Sequence, residues 1–316
     1  MSIIDMHCDT VSELYSRRKQ GLVEELSSNQ LCVDLERLMK AGYILQNFAI
    51  FTDIGKEENP FQCAKGQIDF IRKEINKNSD KIREVKTIDD ILENRKAGRI
   101  SALLTLEEGE VCGGKEEKLE EFYNDGIRMM TFCWNYDNSL ATKAGLTEKG
   151  ISFLAKMEKL GMIPDVSHLS EAGFYDVFRY AKKPFVASHS NAATLCGHKR
   201  NLSDDMIQKI AEKGGVIGIN FYGLFLENKP RNGVYYSKVS RIADHIFHMI
   251  QVGGISCVGL GSDFDGFSGE SELTDCSKLY LLERELKKRG ILESELDAVF
   301  YKNILNLYQE TLRNNW

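Results

Sequence analysis

The sequence predicts an α/β protein, a single (β/α)8 barrel of the TIM type carrying a metal site at its C-terminal face. Three observations predict it. Short apolar, β-rich runs alternate with longer segments of helical spacing, eight times over. No linker or low-complexity block interrupts this alternation, and prolines number only four, so residues 1–316 read as one domain. The residues best suited to metal chemistry recur at the ends of the predicted strands, on the face where such barrels do their chemistry.

The predicted strands cover 2–6, 43–51, 100–106, 128–133, 161–167, 184–188, 215–220 and 256–261. Apolar residues three and four apart predict helices over 63–78, 87–97, 116–125, 147–160, 171–181, 203–213 and 240–252. The stretch 294–312 would close the outer ring. Strands alternating with helices pair in parallel through right-handed crossovers, and eight such units favour a closed barrel over an open sheet.

Composition narrows the function. The net charge is −6 and no Lys/Arg block stands out, which argues against nucleic acid as a partner. No apolar run nears the roughly 18 residues that a membrane helix needs. The opening MSIIDMHCDT carries Asp5 and Asp9 and lacks the basic and apolar regions of a signal peptide, so a cytoplasmic protein is expected. Eight scattered cysteines form no CxxC pair, which fits free thiols in a reducing compartment and excludes zinc-finger spacing. The serine-hydrolase elbow GxSxG and the nucleotide signatures GxGxxG and GxxxxGK[ST] are absent.

The candidate site follows the strands in order. In IIDMHCDT, residues two apart face the same way, so His7 and Asp9 point together and can chelate one metal ion. The alternative is a buried histidine beside a capping aspartate. LLTLEEGE places Glu107 at the end of the third strand, where a carboxylate needs a partner or a metal, unless it opens a solvated loop. PDVSH and FVASHS end the fifth and sixth strands with His168 and His189, each of which taken alone fits a structural role. GLGSDFDG ends the eighth with Asp263 and Asp265, and its glycines would let backbone approach a ligand. Imidazole mixed with carboxylate suits zinc better than magnesium or calcium. His245 and His248 lie three apart on a predicted helix and read as surface or packing residues; His198 lies in the CGHKR loop, within reach of the pocket.

At these residues the sequence resembles the membrane dipeptidase (renal dipeptidase) family of zinc peptidases, as a bacterial-type cytoplasmic member, over nearly the whole chain. HCDT, LEEG, DVSH, ASHSNA with the following CGHKRNLSDD, INFY and GLGSDFDG carry the resemblance. It implies a binuclear zinc site: His7 and Asp9 on one ion, His168 and His189 on the other, Glu107 bridging both. It also implies Asp263 beside a bridging water as catalytic acid and base, Arg200 as a substrate-binding cation for a dipeptide's carboxylate, and a possible homodimer. One departure stands out. Where many relatives carry a substrate-contacting histidine after the fourth strand, this chain has Trp134, which can donate one hydrogen bond and cannot titrate. Alternative readings are another binuclear hydrolase, acting on a cyclic amide, lactone or phosphoester, and a non-catalytic metal- or peptide-binding relative.

Overall fold

The structure is a computed structural model that describes residues 1–230 and 233–313. Its central ladder is parallel throughout. We label the strands β1 (Ile3–Asp5), β2 (Tyr43–Phe51), β3 (Ile100–Glu107), β4 (Ile127–Thr131), β5 (Ile163–Asp165), β6 (Ala187–Ser190), β7 (Ile217–Ile219) and β8 (Val258–Leu260). Their hydrogen-bonded order is β5-β4-β3-β2-β1-β8-β7-β6. A bridge between Asp165 and Val186 joins the two ends of this path, with Val166 N–H donating to Val186 O at 2.8 Å and Val186 N–H to Pro164 O at 3.0 Å. The ladder therefore closes, as the eightfold alternation predicts. A short strand, Ile82–Glu84, pairs with the start of β3 outside the circle.

Most helices fall where the apolar spacing puts them, for example Pro60–Lys77, Glu148–Leu160 and Asp204–Glu212. Several start at caps visible in the sequence: Thr87, Thr147, Ser170 and Ser203 each accept an N–H from the first helical turn. Among the described residues, four further helices, Thr10–Lys19, Leu35–Ala41, the short Gly223–Leu226 and Tyr280–Lys288, escape the pattern. The first buries only Thr10, Val11 and Leu14 along TVSELYSRRK, too thin a stripe to read as amphipathic.

The C-terminal segment corrects an expectation. It comprises Glu293–Asp297, a wider π-type turn over Ala298–Lys302, and Asn303–Thr311. Rather than joining the outer ring, it packs with the strands' own interior. Tyr301, Ile304, Leu305, Leu307 and Tyr308 form one buried cluster with Ile4, Leu45, Leu103, Met129, Ile163 and Val186. Tyr308 O–H donates to Asn47 Oδ1 at 2.9 Å, and Asn303 Nδ2 donates to Ile255 O and Val258 O, just before and at the start of β8. The segment thus plugs the barrel at the end where the strands begin. The opposite rim stays free for chemistry.

Candidate metal centre

The strand ends aim the polar groups inward at that free rim. His7 follows β1 by two residues, and its Nε2 lies 3.3 Å from Asp9 Oδ2 and 3.2 Å from Glu107 Oε2. Asp9 occupies the N-cap position of Thr10–Lys19, yet its side chain makes no capping bond and turns to His7 instead. The capping alternative for Asp9 therefore fails. Glu107 is the last residue of β3 rather than the first of a loop, and both it and Glu108 are buried. His168 follows β5, and His189 lies within β6, one residue before its end. Their Nε2 atoms face each other at 3.0 Å. Glu107 Oε1 stands 3.0 Å from His168 Nε2 and 3.9 Å from His189 Nε2.

Glu107 thus divides its two oxygens: Oε2 faces His7, Oε1 faces the histidine pair. Asp263 joins the first group, with Oδ1 3.9 Å from His7 Nε2. The five expected ligands and Asp263 are all brought together in this one place. Asp265 is not. It points away, accepting from Thr10 Oγ1 at 2.6 Å and from Cys32 N–H at 2.7 Å, and so fastens the N-terminal segment.

A cation fits this donor set. Neighbouring ligands of a tetrahedral zinc ion, each about 2.0–2.1 Å from it, stand about 3.3 Å apart. Four of the spacings among His7, Asp9, Glu107, His168 and His189, at 3.0–3.3 Å, match that edge, and His189 Nε2 to Glu107 Oε1 is wider at 3.9 Å. The protonation pattern shows the strain of the cluster alone. Burial and the nearby Glu107 charge push the Asp9 carboxyl up to about 8. Burial and the Arg200 cation bring His168 down to about 4. Burial and the neighbouring His7 likewise hold His189 well below its ordinary value.

The histidine orientation is set from behind. His189 Nδ1 sits 2.7 Å from Ser188 Oγ, and that hydroxyl donates its proton to Asp165. Ser188 must then accept from Nδ1–H, which leaves the Nε2 lone pair free toward the site. Asp165 also accepts the N–H groups of Ser167 and Ser188, each at 2.9 Å. Asn220 Nδ2 donates to Asp263 Oδ2 at 2.8 Å and so leaves Oδ1 turned inward. Glu108 accepts from Trp134 N–H at 3.0 Å and from Asn138 Nδ2 at 2.7 Å, pinning the loop after β4.

Sequence reasoning assigned no role to Ser188, Asp165, Asn220 or Glu108, although DVSH, ASHS, INFY and LEEG contain or adjoin them. The glycines before Asp263 also act otherwise than expected. A Cβ on Gly261 would stand 1.8 Å from Ser188 O, and one on Gly218 2.0 Å from it, so they admit a neighbouring strand rather than a ligand. Gly266 is the one that faces the carboxylates, 2.2 Å from Asp9 Oδ2 by the same measure. Among the described residues, four that are not glycine have left-handed backbone, namely Glu108, His168, Asp263 and Asp265. All four lie in the loops of this rim, where strained conformations tend to gather at functional sites.

A cavity of about 430 Å³ opens over the cluster, lined by Glu107, His168, His189, Asp263, Trp134 and Arg200 among others. Trp134 packs against Phe51 and Tyr136, with ring centroids 5.0 and 5.6 Å away. Arg200 is half-buried beside the Phe225 ring, and its Nε and Nη2 are inaccessible and without partners. His198 does line the cavity, stacked on Phe225 at 4.8 Å. His245 is a fully buried packing residue, accepting Ala192 N–H at Nδ1, and His248 pairs with Asp204.

The sequence profile of the membrane dipeptidase family, peptidase family M19, matches residues 1–315. An uncharacterized dipeptidase of Schizosaccharomyces pombe is 34% identical over 85% of this chain and 66% of its own length. A dipeptidase of Aspergillus oryzae is 32% identical over 87% of this chain and 69% of its own. The crystal structure of a metallopeptidase of family M19, dipeptidase AC, superposes with a TM-score of 0.89 at 24% identity, covering 99% of both chains. This chain belongs to the membrane dipeptidase family, a family of metal-dependent hydrolases of the peptide bond.

Proposed function

We propose that the protein is a zinc-dependent dipeptidase, with one ion held by His7, Asp9 and Glu107 and a second by His168, His189 and Glu107. The observation that carries this reading is the split of Glu107, whose two oxygens face two separate donor groups 3.2 and 3.0 Å away. Bound there, two zinc ions supply an acidified water and a polarised carbonyl at neutral pH. The chain's own residues do the rest. Asp263, with Oδ2 held by Asn220, takes up the proton of the attacking water at Oδ1 and returns it to the leaving amine. Arg200 lines the same cavity as His168, His189 and Asp263, and its guanidinium binds the substrate's carboxylate as a bidentate pair. A carboxylate held within the same cavity as the metal ligands confines substrates to short peptides.

Trp134, wedged between Phe51 and Tyr136, forms an apolar wall. It offers no titrating group where many relatives place a histidine, so proton transfer rests on Asp263. The eight free cysteines and the lack of any described helix long and apolar enough to cross a membrane support a cytoplasmic setting. The test is a panel of dipeptides, lactones and phosphotriesters assayed with and without chelator, alongside metal analysis. Dipeptide turnover that chelation abolishes is expected; turnover of only the other substrates, or full activity without metal, overturns the reading.

A further inference from the structure

The cavity over the metal ligands has two charged ends. His198, Lys199 and Arg200 line it from the loop after β6, while Asp9 and Glu13 line it from the opening of helix Thr10–Lys19. These ends lie across the barrel from each other. In the closed order of strands, β6 stands diametrically opposite β2. The helix packs against β2, and Phe51, the last residue of β2, lines the cavity with it. A dipeptide whose carboxylate is bound by Arg200 and whose peptide carbonyl lies at the metal ligands therefore extends its first residue toward the β2 side.

Glu13 is the uncommitted charge on that side. Asp9 and Glu107 face His7, Asp263 is held by Asn220, and Asp265 accepts from Thr10 and Cys32. Among the described residues, the half-buried Glu13 carboxylate meets no donor and no cation. Arg17, four residues on and on the same face of the helix, turns to Glu24 at 2.8 Å instead. The positive end of the helix tolerates an unpaired acid in its first turn. Two half-buried rings complete this side, Phe51 and Trp134, with centroids 5.0 Å apart and planes tilted by 59°. Glu108 accepts the Trp134 N–H at 3.0 Å and so fixes the indole's backbone. The chain sets its own cations over Phe61, Phe70 and Phe225. Among the described residues none lies over Phe51 or Trp134, although indole is the ring that attracts a cation best.

We infer that Glu13, Phe51 and Trp134 form a subsite for a cationic side chain, lysine or arginine, on a dipeptide's first residue. The inference rests on the dipeptidase reading above and names its preferred substrate class. Glu13 stands one helical turn, about 5.4 Å, beyond Asp9. The substrate's α-amino nitrogen is one carbon from the scissile carbonyl and stays beside the metal ligands, short of Glu13. A lysine or arginine stem spans that gap. The rings cover its methylenes and meet the cation, and Glu13 pairs the charge. An apolar side chain leaves the carboxylate unpaired, and an anionic one meets repulsion.

The test measures Lys-Ala, Arg-Ala, Met-Ala and Glu-Ala on the metal-loaded enzyme, with Ala-Ala as the reference. Lys-Ala or Arg-Ala should exceed Met-Ala by about tenfold or more in kcat/KM, and Glu-Ala should fall below it. In Glu13→Gln that ratio should drop toward one. In Glu13→Lys the order should reverse, with Glu-Ala ahead of Lys-Ala. Either variant carries the test if the other does not fold. Equal rates for cationic and neutral first residues, or a ratio that survives Glu13→Gln, would overturn the subsite. So would an equal loss on every dipeptide in that variant, which would put Glu13 on the α-ammonium instead. Absence of turnover for every dipeptide, Ala-Ala included, would remove the dipeptidase reading on which the subsite rests.

Discussion

Ser188→Ala isolates the group behind one proposed ligand. Ser188 Oγ stands between His189 Nδ1, at 2.7 Å, and the Asp165 carboxylate, and it touches no other candidate ligand. Removing it leaves an Nδ1–H unpaired in a fully buried place and takes one of several donors from Asp165, whose Oδ1 keeps the two N–H bonds at 2.9 Å. One unpaired buried donor costs about 1–3 kcal/mol of folding stability. The imidazole also loses the bond that fixes its tautomer, and such a loss weakens metal affinity by about 10–100-fold, or about 1.4–2.7 kcal/mol. The assay is competition for zinc against a chromophoric chelator of known affinity, with thermal denaturation run in parallel. Ser262→Ala is the control. Its hydroxyl donates to Asp5 at 2.6 Å but meets no imidazole, so it should cost stability with much less effect on affinity. Equal zinc affinity in Ser188→Ala and wild type, or equal losses in the two variants, would refute the argument.

Further outcomes follow from the same geometry. Glu107→Gln should lower bound zinc from two ions per chain toward one and abolish most activity, checked by elemental analysis of the purified variant; retention of both ions would contradict a shared carboxylate. Asp263→Asn should keep the metal and lose about 10²–10⁴-fold in kcat, the range for a proton-transfer group, read from steady-state kinetics. Arg200→Ala should raise KM for dipeptides by about 10–100-fold, as loss of a charge-assisted bond of about 1.5–3 kcal/mol implies, with metal content unchanged. Acid should destabilise the fold through His245. Burial holds this imidazole down to about 4, against an unfolded value near 6.5. The unfolded chain therefore binds the extra proton first, and stability falls as pH drops from about 6.5 toward 4, by at most about 3 kcal/mol at about 1.4 kcal/mol per unit. Urea midpoints at pH 7 and pH 4.5 measure it, and His245→Gln should flatten the difference.

The parts legible in the sequence are those that local periodicity or strand ends encode. The eight strands show because each is a short apolar run, and the helices because one face is buried. The five proposed ligands and Asp263 show because a polar group directly after an apolar strand has to be accounted for. What stayed hidden depends on register across strands. Asp165 and Ser188 are 23 residues apart and meet only because β5 closes onto β6. Asn220 reaches Asp263 from the neighbouring strand end, a contact of 43 residues' separation. Nor does the amphipathic pattern of 294–312 say which apolar surface it covers, and it proved to be the barrel's own interior. Glycine misled in a similar way: GLGSDFDG reads as a ligand-binding turn, while Gly261 answers to Ser188 O on another strand.

The most direct trial is a crystal of the zinc-loaded protein measured on both sides of the zinc absorption edge. Two anomalous peaks should flank the Glu107 carboxylate, about 3.5–4 Å apart, one beside His7 and Asp9 and the other beside His168 and His189. A single peak, or ions bound elsewhere with these side chains uninvolved, would contradict the account.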